Sequence, residues 1–274
     1  MVDVLVFGPH PDDIEICAGG LVLAMQRRGY SVGGVDMTAG EAGTRGDRER
    51  RDAEARAGAD LLGLEFRECL GLPDGAIQDD IASRDKVIDA IRRHRPQLVV
   101  GPVASDDHPD HQRTGELLKQ ARFLAGCSNI GPAGEPWRPG RVLSYPSREP
   151  FMPTLIVDIS DVFPRKLEAI RAHASQLHDP ASDEPLTTIA SPEFLEAIEA
   201  ANRYFGSLIG VRHGEPYSVE GPLAIDDPLT AVRGRGHGLF GRPGSTGDGG
   251  AGTGYDTGCD TGRDTSGDGG GRRR

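Results

Sequence analysis

Two short stretches of this chain concentrate groups that can hold a metal ion and move protons. They are His10-Pro11-Asp12-Asp13-Ile14-Glu15 and Ser105-Asp106-Asp107-His108-Pro109-Asp110-His111. Zinc takes imidazole nitrogen and carboxylate oxygen, and a catalytic zinc keeps three protein ligands and an open fourth position. Two histidines and one carboxylate drawn from these stretches meet that need. No cysteine lies in either, which argues against a closed structural site. The same donors suit ferrous iron, and spacing does not separate the two metals. Asp-Asp and His-Pro-Asp are also ordinary turn and helix-capping sequences. Either stretch alone reads as a cap. Two His-Pro-Asp segments, each following a buried strand, read as a site. A third polar stretch, Thr38 to Gly46, follows another strand and carries Arg45.

These turns need a frame to bring them together. Val4-Leu5-Val6-Phe7 and Leu98-Val99-Val100 are continuous apolar runs of the kind found in buried parallel strands. Further strands are expected at Val32 to Met37, Phe66 to Leu70, Val142 to Tyr145 and Leu155 to Ile159. Helices are expected at Ile14 to Arg28, Arg48 to Leu62, Ile81 to His94, His108 to Leu124, Asp161 to Ala174 and Pro192 to Phe205. Such alternation predicts an α/β fold, a Rossmann-like, mostly parallel sheet with helices on both faces. Ligands in these folds sit beyond the carboxyl ends of strands, where the polar stretches lie. Gly19-Gly20 inside the first helix points to close packing and not to phosphate binding.

Composition narrows the classes. The 274 residues carry 42 acidic and 31 basic side chains, a formal net charge of −11. A general nucleic-acid binder, which must neutralise phosphates, is not expected. No apolar run approaches the roughly 20 residues needed to span a bilayer. The start, MVDVLVFG, reads as a strand and not as a leader, so a cytoplasmic protein is expected. The four cysteines form no CxxC pair and are expected as reduced, mostly buried thiols. Residues 231–274 hold 16 of the 39 glycines and two aromatics, too little apolar surface to order a core. A folded domain over 1–230 and a Gly/Asp-rich disordered tail over 231–274 are therefore expected. The tail's Gly-Asp repetition lacks the apolar position of a calcium-binding nonapeptide array.

His10-Pro11-Asp12-Asp13 with His108-Pro109-Asp110-His111 resembles the LmbE-like, or PIG-L, deacetylases, zinc enzymes that act on N-acetylglucosaminyl compounds. The resemblance covers residues 2 to about 228. Thr44-Arg45-Gly46, Leu70-Gly71-Leu72-Pro73-Asp74-Gly75 and Gly206-Ser207-Leu208-Ile209-Gly210 look most like the deacetylases of bacillithiol biosynthesis, which act on N-acetylglucosaminyl malate. It implies zinc ligands at His10, Asp13 and His111, a general base at Asp12 and an acid or oxyanion partner at His108. Asp110 would orient a histidine. Some relatives carry Arg directly before that histidine; Asp107 stands here, which puts any anion contact from that position in doubt. A small-molecule glycoside substrate and a homo-oligomer are also implied.

In this reading zinc polarises the acetyl carbonyl and brings a water pKa to about 7. Asp12 takes the water proton, and Asp12 or His108 protonates the leaving amine. Arg45, between Gly43 and Gly46, is expected to pair with a substrate carboxylate. Asp74, in a Pro-Asp-Gly turn, is expected to bond sugar hydroxyls. Within the same fold, mycothiol-type and chito-oligosaccharide deacetylases are the alternatives. A ferrous-iron oxygenase would consume oxygen, and a non-catalytic metal- or sugar-binding protein would release no acetate. Retention of Asp12 and His108 favours the enzyme.

Overall fold

The computed structural model describes residues 1–147, 151–226 and 229. The expected tail at 231–274 lies outside them. Seven strands form the sheet: β1 (Val4–Gly8), β2 (Val32–Asp36), β3 (Arg67–Cys69), β4 (Leu98–Pro102), β5 (Arg141–Tyr145), β6 (Leu155–Asp158) and β7 (Gly214–Val219). Their order is β3-β2-β1-β4-β5-β7-β6. The first five are parallel, and β7 runs antiparallel to both β5 and β6. The chain winds outward in one direction from β1 and in the other from β4. The crevice between those two strands is the switch point where such sheets bind ligands.

Six α-helices are described: α1 (Gly19–Gln26), α2 (Arg48–Leu62), α3 (Ile81–His94), α4 (Pro109–Leu124), α5 (Phe163–Arg171) and α6 (Phe194–Leu208). β1 shows why both sheet faces are covered. Leu5 and Phe7 pack with Val87, Ile91, Leu117 and Leu118 of α3 and α4. Val4 and Val6 point the other way, toward Leu21, Val22, Leu62 and Ala169 of α1, α2 and α5. All four β1 residues are at most 2 % exposed. Each fully buried side chain of this size contributes roughly 1.5–3 kcal/mol. Caps fix the helix ends. Asp47 accepts from Arg50 N at 2.8 Å, Asp80 accepts from Ser83 N at 2.8 Å, and left-handed Gly63 ends α2.

Three expectations need adjustment. The helix expected from Ile14 begins as a π-helical turn, Ile14–Ala18, before α1 takes over. At that junction Glu215 accepts from Gly20 N at 3.0 Å and Leu21 N at 2.6 Å. A Cβ on Gly20 would lie 2.7 Å from Ile159 Cγ2 and 2.8 Å from Glu215 Oε1, so the glycine is there for close packing. Second, β7 has no counterpart in the expected strands. Third, of the three described cysteines, all unpaired, Cys17 alone is buried; Cys69 is exposed and Cys127 intermediate.

Candidate metal centre

The first polar turn begins where β1 ends at Gly8, and the second leads from β4 into α4. β1 and β4 pair side by side, Val4 with Leu98 through Val6 with Val100. The two turns, about a hundred residues apart in sequence, therefore project from adjacent strands at one sheet edge. His108 caps α4: its Nδ1 accepts from Asp110 N at 3.2 Å, and Pro109 opens the helix. The capping and the functional readings of this stretch are thus both true of it.

The geometry centres on Asp13. Its Oδ2 lies 3.1 Å from His10 Nδ1 and 3.2 Å from His111 Nε2, and it accepts from His10 N at 2.9 Å. Ligands about 2.0–2.1 Å from a tetrahedral zinc stand roughly 3.3 Å apart, close to both of these distances, and all three residues offer ligand atoms within 4.8 Å of one another. Each imidazole also has a carboxylate behind it. His10 Nε2 lies 3.3 Å from Asp110 Oδ2 and 3.2 Å from Asp74 Oδ1. His111 Nδ1 faces Asp106 Oδ2 at 3.8 Å, and these two buried atoms have no hydrogen-bond partner among the described residues. Metal-binding histidines commonly back onto carboxylates in this way. A second possible set, His10, His108 and Asp110, shares His10. There Asp110 is already engaged, accepting from Gly75 N at 2.7 Å and Ile77 N at 3.2 Å. The first set therefore fits an ion better.

The electrostatics agree with a cation site. Burial works against charge on Asp13, but His111 and His10 hold its carboxyl well below the usual range. Burial likewise opposes a proton on His10, and bonds to Asp110, Asp13 and Asp74 override it and raise its pKa well above normal. Asp12 is 4 % exposed, with the Arg51 guanidinium 3.8 Å away. Arg51 is itself fixed by donating to Gly40 O at 2.7 Å. Asp12, Asp13, Asp74, Asp106 and Asp110 thus gather around three imidazoles.

Most of the expected residues come together here: His10, Asp12, Asp13, Asp74, His108, Asp110 and His111. Arg45 does not belong with them. It is 3 % exposed, and its guanidinium donates to the carbonyls of Ser175, Leu177, Glu184 and Pro185 and to Ser182 Oγ. Its donors staple the segment around 175–185, so the expectation that it waits for a substrate carboxylate is corrected. Arg45→Met is expected to lower the unfolding free energy by about 2 kcal/mol or more, because several carbonyls lose a charged partner. Denaturant titration measures this, and an unchanged midpoint would remove the stapling role.

Sequence reasoning passed over Asp106, Arg51 and Arg67. Arg67 donates to Asp36 at 2.7 and 3.0 Å, to Glu15 at 2.6 Å and to the Pro11 carbonyl, the peptide that leads into Asp12. His173, 3 % exposed, joins this cluster with Nε2 3.3 Å from Glu15. Asp106 was visible as a residue type in the second polar turn. The roles of Arg51 and Arg67 depend on partners 11 to 56 positions away, and no local pattern marks them.

The profile of the PIG-L family, described as GlcNAc-PI de-N-acetylase, matches residues 5–122, which include both turns. A diacetylchitobiose deacetylase of Thermococcus kodakarensis is 31% identical over 231 residues, covering 77% of this chain and 80% of that protein. A probable N-acetyl-alpha-D-glucosaminyl L-malate deacetylase 2 of Bacillus anthracis is 27% identical over 190 residues, 63% of this chain and 80% of its own. A 4-oxalmesaconate hydratase of Pseudomonas putida is 26% identical over 191 residues, 64% of this chain and 74% of its own. Among solved structures, the conserved protein TT1542 of Thermus thermophilus superposes with a TM-score of 0.75 at 37% identity, covering 82% of this chain and 97% of that one.

Proposed function

The chain belongs to the PIG-L family, and from that premise we propose that it is a zinc-dependent hydrolase removing the acetyl group of an N-acetylglucosamine conjugate. The observation that carries this reading is Asp13 Oδ2 standing between His10 Nδ1 and His111 Nε2 at 3.1 and 3.2 Å, with Asp12 beside it. His10, Asp13 and His111 would hold the ion. Zinc bound there would supply a Lewis acid for the acetyl carbonyl and a water acidic enough to attack near neutral pH. Ferrous iron suits the same donors.

The protein's own groups do the rest. Asp12 receives the water proton, and Arg51 at 3.8 Å keeps its carboxylate in place. The His108 Nδ1 lone pair is taken by Asp110 N–H, which leaves the ring proton on Nε2. That tautomer donates a hydrogen bond to the developing oxyanion, and the proton that Asp12 takes from the water passes to the departing amine. Asp110 and Asp74 orient His10. Asp74 accepts from Ala42 N at 2.8 Å and meets His10, and a carboxylate has about four acceptor sites, which leaves capacity for a sugar hydroxyl. Asp106 orients His111. Asp106→Ala is expected to weaken zinc affinity by about 10–100-fold with the fold intact. Competition with a zinc chelator measures it, and wild-type affinity would withdraw that role.

For the substrate, a chito-disaccharide comes first and N-acetylglucosaminyl malate second, since the 31%-identical relative is named a deacetylase of the former and the 27%-identical one a probable deacetylase of the latter. A homo-oligomer is part of the proposal and is read by light scattering. The test is acetate release by the zinc-loaded chain from N,N'-diacetylchitobiose, N-acetylglucosaminyl malate and N-acetylglucosaminyl inositol. Acetate from the first at the highest kcat/KM is expected. No acetate from any of the three would overturn the reading and move attention to hydration chemistry of the kind named for the hydratase relative.

A further inference from the structure

Away from the metal turns, one buried histidine has no task. His213 precedes β7 and is 3 % exposed. Its ring lies flat on Phe163 of α5, with centroids 3.9 Å apart and planes 10° from parallel. Neither ring nitrogen has a hydrogen-bond partner among the described residues; the nearest acid is Glu199, with Oε1 3.9 Å from Nε2. Withholding an imidazole from water without satisfying its N–H costs free energy, so such a group calls for a partner.

The ring forms part of a cleft of about 300 Å³ between α5 and α6, whose charged lining residues are Glu168, Arg171, Glu199 and Arg212. The acids are already taken. Glu168 pairs with Arg165 at 2.7 Å, and Glu199 pairs with Arg203 at 3.0 Å. Arg171 and Arg212 make no hydrogen bond or ion pair among the described residues. Two guanidiniums without a paired carboxylate among the described residues therefore line the same cleft as the imidazole. Burial, followed by the charges of Arg212 and Arg203, holds the His213 pKa below its ordinary value, so the ring is neutral near pH 7 and still has an N–H to donate.

We propose that this cleft binds a phosphate group, free or carried on a small monoester, through Arg171, Arg212 and the His213 N–H. Guanidinium recognises oxyanions by charge-assisted bonds. Three separate donors suit the three terminal oxygens of a phosphate better than the two of a carboxylate. The cleft shares no lining residue with the turns that carry His10 and His111, so the proposal stands apart from the hydrolase reading.

The test uses the full chain loaded with zinc, titrated with inorganic phosphate and with glucose 6-phosphate. Binding is followed by calorimetry and by the ring resonances of His213, assigned with His213→Asn. The comparison protein is the Arg171→Gln/Arg212→Gln double variant, whose changes lie on exposed side chains. Phosphate bound at the metal would affect both proteins equally, whereas phosphate in the cleft would not. The expected result is a His213 shift on phosphate addition and an affinity at least about tenfold lower in the double variant. Tighter binding of glucose 6-phosphate identifies a monoester as the ligand, and equal binding identifies the free ion. Equal affinity in the two proteins, or a His213 resonance indifferent to phosphate, would overturn the proposal.

Discussion

His111→Ala is expected to lower zinc affinity by at least about 10³-fold, roughly 4 kcal/mol, and to abolish acetate release at micromolar zinc. His111 Nε2 is one of two imidazole nitrogens flanking Asp13 Oδ2. Without it the ion would rest on His10 and Asp13 alone, and Asp106 Oδ2 would lose the imidazole it faces. The variant should fold, because His111 lies on the first turn of α4 and contributes little to the apolar core that Leu117, Leu118 and Ala121 build further along that helix. Metal content by mass spectrometry and circular dichroism together check this. A folded variant that retains stoichiometric zinc would remove His111 from the ligand set.

The second large effect falls on Asp12. Asp12→Asn preserves shape and removes the basic oxygen, so kcat should drop by about 10³-fold, within the usual range for general acid–base catalysis. Zinc content and KM should change little, because Asp12 is assigned to the proton and not to the ion. Its neighbours predict that split. Arg51 stands 3.8 Å from Asp12, and Arg67 pins the Pro11 carbonyl that precedes it, so the turn has supports that do not depend on the carboxylate. Near-wild-type kcat in a zinc-replete Asp12→Asn protein would refute the base assignment. Loss of zinc in the same variant would instead make Asp12 a ligand.

Much of this arrangement could be read before any coordinates. The buried runs Val4–Phe7 and Leu98–Val100 announce parallel strands, and strand ends that break into histidine and aspartate announce a site. What escaped did so for identifiable reasons. β7 contains Gly214 and Pro216, residues that argue against a strand. It is tolerated because its pairing with β5 is confined to Ser218 and Val219, so Pro216 lies beyond that stretch. Arg45 in a glycine-flanked loop looks the same whether it awaits an anion or staples a segment 130 residues later. Where the π-helical turn after Asp13 gives way to α1, Glu215, near the other end of the domain, takes the Gly20 and Leu21 N–H groups, and no local periodicity carries that contact.

The pairing of β1 with β4 has a thermodynamic consequence. The candidate ligands lie on either side of that seam, so an ion that needs all three can bind only when the two halves of the sheet are zipped together. By mass action, zinc at a hundred times its dissociation constant should add about 2.7 kcal/mol to the native state. A melting temperature that climbs with the logarithm of zinc concentration would therefore gauge the cohesion of the molecule's midline, independently of any turnover.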